Sequence, residues 1–270
     1  MPATPVIAAE NLYKKFNFFR PIWPVNGVSL HVNAGEIVAL LGSNGAGKST
    51  TFEMLSGLTH PTKGSILLFD EQENAWIDIT REPLYKRAQL GICYLPQKPS
   101  IFAGLSAREN LLGIMEIMDS RVLSESMQAT DPALSSREDY CDMLLGKFSL
   151  YEHRDKPAMI LSGGEQRRLE IARSFITKPK LILMDEPYAA VDLSGVQLCS
   201  SLFREVRNEG VSILIIDHRI EDILKIADRV YFLHKGQVEM EGVPRDIVRN
   251  PLVQETLLAD QVDRLLQIFP

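Results

Sequence analysis

Short apolar runs separated by longer amphipathic stretches set the rhythm of this chain. Residues 37–41, 181–184 and 213–216 are unbroken apolar runs of strand length, the pattern of strands buried on both faces. The stretches between them are long enough for helices, and that alternation predicts an α/β domain with a mostly parallel sheet. The opening segment, residues 6–36, is different. It is rich in β-formers and is broken by Pro21, Pro24, Gly27 and Gly35, which predicts a small antiparallel sheet. Between Pro99 and Ile160 the period turns helical, and over residues 107–118 Leu111, Leu112, Met115 and Met118 recur on one face. The polar stretch 119–139, which has no aromatics, reads as an exposed loop or a loosely packed helix pair. Strand-like runs return after Pro179, so a helical block is inserted into an α/β core. At the end, Leu257, Leu258, Val262, Leu265 and Leu266 fall at helical spacing. They predict a tail helix that lies on its own domain, in preference to a homodimer contact or a partner-binding helix.

Composition narrows the class. The 270 residues are 45% hydrophobic and 24% charged, ordinary for a soluble globular protein and unlike a disordered or fibrous chain. The net charge of −6 gives no reason to expect nucleic acid as a partner. Cys93, Cys141 and Cys199 form no CxxC pair and read as buried thiols in a reducing compartment. No basic-then-apolar leader opens the chain, and no apolar run approaches the roughly 20 residues that span a bilayer.

The chemistry begins at Gly42-Ser43-Asn44-Gly45-Ala46-Gly47-Lys48-Ser49, which fits G-x-x-x-x-G-K-[ST] directly after a strand-like run. Glycines there let successive N–H groups face a polyphosphate, and a helix opening near Ser49 and Thr50 aims its positive end at the same charge. Lys48 then contacts the β- and γ-phosphates, and the Ser49 hydroxyl coordinates Mg²⁺. The run 181–184 ends in Asp185 and Glu186. At the C-terminal edge of a parallel sheet, Asp185 sits beside the phosphate loop to hold Mg²⁺, and Glu186 is placed to polarise an attacking water. Leu161-Ser162-Gly163-Gly164-Glu165-Gln166 precedes another helix-compatible run, 167–176, so Ser162, Gly163 and Gly164 present donors to a phosphate. The acid-tipped strand begins 19 positions after Ser162 (181 − 162), one helix and a turn away.

That motif, in that order and spacing, resembles the signature of the ATP-binding-cassette (ABC) ATPases, and the resemblance covers about residues 6–250. It implies a P-loop NTPase core with an N-terminal antiparallel β-subdomain, a helical subdomain inserted over about 98–162, and a helical tail over 251–270. It implies ATP and Mg²⁺ as ligands, with Ser162, Gly163, Gly164 and Glu165 serving ATP held by the opposite subunit. By the same resemblance Gln97 matches the Q-loop, which contacts Mg²⁺ and the attacking water, and His218 the switch histidine at the γ-phosphate. Asp192 matches the D-loop at the dimer interface, a place where a helix N-cap is equally at home. Adenine needs a stacking aromatic; Phe16 is the best match, with Tyr13 and Phe19 as alternatives, because the segment 17–25 carries Phe18, Phe19 and Trp23 and is longer than usual.

The implied partners are a second copy of the chain and an integral membrane permease, with the protein peripheral on the cytoplasmic face of the inner membrane. Residues 94–102, Gln166 to Glu170 and Asp185 to Tyr188 resemble the lipopolysaccharide-export branch, which implies that Phe102 lines the groove for the permease; a helical-block core residue is the alternative. The polar stretch 119–139 and Leu193, where related chains often carry Pro, depart from that branch. They leave a branched-chain amino-acid importer ATPase, or another single-cassette transporter subunit, as alternative readings, and a soluble cassette of the iron–sulfur assembly kind is an alternative of a different class.

Overall fold

The computed structural model describes residues 4–17, 22–71, 73–118 and 120–269; Phe18, Phe19, Pro21 and Asp119 fall outside them. In chain order the elements are β1 (Pro5–Phe16), β2 (Ile22–Asn33), β3 (Ile37–Gly42), α1 (Lys48–Ser56), β4 (Lys63–Asp70), β5 (Ala75–Asp78), α2 (Leu84–Gln89) and β6 (Ile92–Leu95). Four helices follow: α3 (Ala107–Ile117), α4 (Ser120–Thr130), α5 (Arg137–Lys147) and α6 (Gly163–Phe175). Then come β7 (Leu181–Asp185), α7 (Leu193–Asn208), β8 (Ser212–Ile216), α8 (Ile220–Leu224), β9 (Arg229–His234), β10 (Gln237–Gly242) and α9 (Pro244–Arg249). The tail holds α10 (Pro251–Val253) and α11 (Val262–Ile268). The chain forms two compact units. One runs to Tyr94 and includes 180–186 and the residues from 203 on; the other comprises 95–179 and 187–202.

The first unit carries two sheets. One has the order β10-β9-β3-β8-β7-β6, with β3 parallel to β8 and β9, β7 parallel to β8, and β10 antiparallel to β9. All six residues of β3 are buried, as the continuous apolar run required. The other is antiparallel, in the order β2-β1-β4-β5. The opening segment does form an antiparallel pair, and the structure adds β4 and β5, which its own apolar pattern did not announce. The two sheets and α1 share one core, including Ile7, Leu12, Val28, Phe52, Leu55, Ile66, Leu183 and Leu214.

Two polar clamps hold this unit together. Arg229 on β9 forks onto Glu36 at 2.7 and 2.8 Å and reaches Glu241 on β10, a bidentate geometry that favours arginine over lysine. Arg87 of α2 is wholly buried. It donates to the carbonyls of Met54 and Leu55 at the C-terminal end of α1 (2.7 Å each), and to those of Glu82 (2.8 Å) and Thr80 (3.2 Å).

The second unit is mostly helical. α3 opens on a reciprocal capping box, Ser106 Oγ accepting from the Glu109 N–H and Glu109 Oε2 from the Ser106 N–H. The polar stretch resolves into the helix pair α4 and α5, with Leu123, Ser126 and Tyr140 buried. α6 begins at Gly163, four residues earlier than the run 167–176 suggested, because Ser162 caps it. Cys141 and Cys199 are buried and Cys93 is half-buried.

The tail packs on its own unit, as its spacing implied, but not as one helix. After α10, capped by Asn250 Oδ1, the backbone widens into a π turn over Gln254–Leu258 and breaks at Ala259, whose φ is 38°. The break lets Val253, Leu258 and Leu265 all turn inward, and Arg264 pairs with Glu221 of α8 at 2.8 Å.

Candidate active site

In the first unit, β3 runs into the glycine-rich loop and the loop into α1. Gly47 stands at φ 102°, and a Cβ there would lie 2.3 Å from the Pro24 carbonyl oxygen, so only glycine fits both the left-handed backbone and the close approach. The Ala46 N–H donates to Ser43 O at 3.1 Å, and Ala46 O accepts from Gly236 N at 3.2 Å, which braces the loop against the β9–β10 turn. Lys48 Nζ donates to the carbonyls of Gly42 (2.7 Å) and Ser43 (3.1 Å). Burial pushes its pKa below the usual lysine range, against the pull of Glu186 and Asp185.

The acids arrive on β7. Asp185 is in register with Ile216 of β8, and the Tyr94 hydroxyl donates to its Oδ2 at 3.4 Å. Glu186 follows at φ 47°, an uncommon conformation for a side chain with a Cβ, and its N–H is anchored on Ile216 O at 2.7 Å. That turn brings Glu186 Oε1 to 2.7 Å from His218 Nε2. Asp217, nearly buried, accepts from the Arg219 N–H at 2.8 Å and shapes the bend that presents His218. Asn44, Gly45, Gly47, Lys48, Ser49, Thr50, Glu186 and His218 together line a cleft of about 200 Å³, with Pro24 and Ile216 completing its wall.

Phe16 ends β1 and is 43% exposed, with Lys14 Nζ 5.2 Å from its ring centre. It does not line that cleft. Tyr13 has its ring edge-on to Trp23 at 6.3 Å and its hydroxyl over Gly27, which leaves Phe16 the freer ring of the two. Phe19 lies outside the described residues.

The other motifs belong to the second unit. Ser162 Oγ accepts from the Glu165 N–H at 3.4 Å, while Glu165 Oε2 accepts from the Ser162 N–H at 2.7 Å; the remaining oxygen of Glu165 meets His153 Nε2 at 3.0 Å. A Cβ on Gly163 would lie 2.4 Å from Ala190 O, so glycine lets the start of α6 touch the 188–192 turn. Asp192 caps α7, Oδ1 accepting from Gly195 N (2.9 Å) and Oδ2 from the Ser194 hydroxyl (2.8 Å); these bonds hold its carboxyl below the usual carboxylate range. Ser162, Gly164, Glu165 and Asp192 line one concave surface with Arg168 and Gly195. Gln97 lies on the loop after β6, where Arg167 donates to the carbonyls of Pro96 (3.0 Å) and Gln97 (3.3 Å). Arg167 is paired at 2.7 Å with Glu170, which in turn accepts from Ser100 N. Phe102 is 47% exposed, with the Arg173 guanidinium 4.5 Å from its ring. It is not a core residue.

Sequence reasoning named the residues of both surfaces but missed the contacts that hold them: Tyr94 on Asp185, His153 on Glu165 and the Tyr188–Ser200 hydroxyl pair at 2.6 Å. The i,i+3 spacing of Arg167 and Glu170 was a readable sign of a pair; the rest act over long sequence separations and left no local pattern. Among the described residues, no three His, Cys, Asp or Glu side chains form a cage for a metal ion, and no helix is long and apolar enough to cross a membrane.

The family model described as ABC transporter matches residues 25–189. The chain is 43% identical over 236 residues to an ABC transporter ATP-binding protein of Rhizobium meliloti, covering 87% of this chain and 81% of that one. It is 39% identical over 256 residues to the lipopolysaccharide export system ATP-binding protein of Acidithiobacillus ferridurans, covering 95% and 98%. Among solved structures, the ADP conformation of an ATP-binding cassette of an ABC transporter superposes with a TM-score of 0.78 at 28% identity, covering 95% of this chain and all of that one.

Proposed function

We propose a mechanism from one premise: the chain belongs to the ABC transporter family, as an ATP-binding subunit that hydrolyses ATP. The observation that carries it is the cleft of the first unit on which the glycine-rich loop, Glu186 and His218 converge. The residues Ser43, Asn44, Gly45, Ala46 and Gly47 and the first turn of α1, with Thr50, take the phosphates through backbone N–H groups and the helix N-terminus. Lys48 exchanges its two carbonyl partners for phosphate oxygens. Glu186 takes the proton of the attacking water, and His218 leaves Glu186 to contact the γ-phosphate.

The hard oxygen donors at Ser49 and Asp185 suit Mg²⁺, which prefers one or two protein ligands beside phosphate and water and needs no protein cage. When bound, the ion neutralises phosphate charge; Gln97 is assigned to it and to the water from the family's Q-loop alone. Phe16 is the proposed adenine platform. The ATPase domain is taken as residues 6–250, with 98–162 as its inserted helical part and 251–270 as the tail.

The finer reading is a dimer in which Ser162, Gly163, Gly164 and Asp192 of one copy complete the nucleotide site of the other. Held by membrane permease subunits at the cytoplasmic face, that dimer drives lipopolysaccharide export. What supports the cargo is the near full-length similarity to a lipopolysaccharide export ATP-binding protein. Two measurements test this. ATPase activity rises more than linearly with protein concentration, and strict proportionality down to dilute chain overturns the dimer. Permease subunits that co-purify in detergent and bind lipopolysaccharide support the cargo; subunits that bind an amino acid overturn it.

A further inference from the structure

We infer that His153 is a positioning residue for the start of α6: through Glu165 it fixes the backbone of Ser162, the residue assigned above to the partner's nucleotide. The inference rests on that assignment and deepens it. A relay of hydrogen bonds runs along one surface of the second unit. Lys156 Nζ meets His153 Nδ1 at 2.9 Å, His153 Nε2 meets Glu165 Oε1 at 3.0 Å, and Glu165 Oε2 accepts from Ser162 N at 2.7 Å. An ammonium can only donate, so Nδ1 accepts and Nε2 carries the proton towards the carboxylate. The tautomer is set by geometry.

The turn that carries His153 is itself fixed. Its N–H donates to Leu150 O at 2.9 Å, and Lys156 N donates to His153 O at 3.0 Å. At the other end the two halves of the capping box are unequal: Ser162 N to the carboxylate is 2.7 Å, while Glu165 N to Ser162 Oγ is 3.4 Å. The carboxylate is therefore the firm half. It holds Ser162 in place while the Ser162 hydroxyl, on an exposed residue, stays loosely engaged and able to turn to a phosphate. Both oxygens of Glu165 are committed inside the chain, which makes Glu165 a support for Ser162 and not itself a ligand of the nucleotide.

The test uses the full-length chain with magnesium and ATP. His153→Leu removes the Nε2 donor and raises KM for ATP about three- to tenfold, the net size of one ordinary hydrogen bond, with kcat at saturating ATP within about twofold of the parent. His153→Gln, whose amide can donate to the same oxygen, returns KM towards the parent. An unchanged KM in His153→Leu, or equal impairment in both variants, overturns the inference. A second readout needs no turnover. The ¹H and ¹⁵N signals of the His153 imidazole at pH 8 show a downfield, hydrogen-bonded Nε2–H in the parent that moves upfield in Glu165→Ala, where its acceptor is gone; an Nε2–H signal identical in the two overturns it. A parent that hydrolyses no ATP refutes the proposed function, and the imidazole spectra still decide the relay.

Discussion

His218 Nε2 and Glu186 Oε1 are 2.7 Å apart, joined across the ends of β8 and β7. Glu186 is held there by a left-handed backbone and by its N–H on Ile216 O, so the carboxylate is aimed at the cleft before any water or nucleotide arrives. If it is the base, Glu186→Gln keeps the shape and the hydrogen bond but not the proton acceptor. Turnover then falls at least about 100-fold while ATP still binds. Equilibrium binding of a fluorescent ATP analogue beside a phosphate-release assay checks both halves; turnover within a few-fold of the parent removes Glu186 from that role.

Lys48 contributes a pH signature. Because burial lowers its pKa, the folded state binds fewer protons than the unfolded chain between the lowered value and the usual one. Stability therefore rises with pH across that window, as the penalty for the buried charge is relieved. Lys48→Met has no such charge. The stability of the variant relative to the parent is then highest at neutral pH and declines as pH climbs towards 10.5. Thermal melts of both proteins at pH 7 and pH 10 show this; a difference that is flat or grows with pH contradicts the assignment. The same variant loses ATP binding.

Phe16 offers an exposed ring, while Tyr13 is turned to Trp23 and Gly27. Phe16→Ala weakens ATP binding about two- to tenfold, the range of a lost aromatic stack, and leaves the binding of inorganic triphosphate unchanged. Calorimetric titration with the two ligands separates a lost base contact from a disturbed phosphate loop. Equal weakening of both speaks for the second.

The legible parts of this molecule were the local ones. The glycine-rich loop and the acid-tipped strand β7 each occupy a few consecutive residues whose chemistry is fixed by spacing, and each formed where the spacing placed it, whereas α6 opened at Gly163, four residues before the run that announced it. β4 escaped because it mixes buried with exposed positions, and β5 because none of its four residues is buried; β4 is a strand through pairing with β1, and β5 through pairing with β4. The tail kept its apolar stripe but not its continuity, since burying Val253, Leu258 and Leu265 together required the break at Ala259. His153 was invisible because a histidine 12 residues before Glu165 (165 − 153) has meaning only after a three-residue turn has folded it back.

Tyr188 and Ser200 form a buried hydroxyl pair at 2.6 Å that ties the 188–192 turn to α7. The turn contains Ala190 at φ 57°, a conformation that persists only where its surroundings over-determine it. Tyr188→Phe removes one hydroxyl and leaves the buried Ser200 hydroxyl without that partner, at a cost of about 1–2 kcal/mol. Ser200→Ala costs a similar amount, and the double variant costs less than the sum of the two. Denaturant titrations of the four proteins measure the coupling; strict additivity dissolves the pair as a unit.

Arg87 makes the most exacting case, because its value lies in geometry and not in charge alone. Its guanidinium, brought down to about 10 by burial, is still a cation at neutral pH. It sits where the macrodipole of α1 favours one, sharing the carbonyls of Met54 and Leu55. No other residue type places donors on four carbonyls from one planar group. Arg87→Met fills the space with apolar atoms and leaves those acceptors buried, which costs about 3 kcal/mol or more and lowers Tm by about 6–12 °C for a domain of this size. Arg87→Lys recovers only part of the loss, since one ammonium on a flexible stem cannot reach all four. The phosphate loop lies at the opposite end of α1, so ATP affinity well below the melting transition stays within about threefold of the parent. Calorimetric melts and binding titrations on the same samples separate the two effects. A lysine variant as stable as the parent, or a methionine variant that loses ATP binding while still folded, shows that the clamp is not what fixes the end of α1.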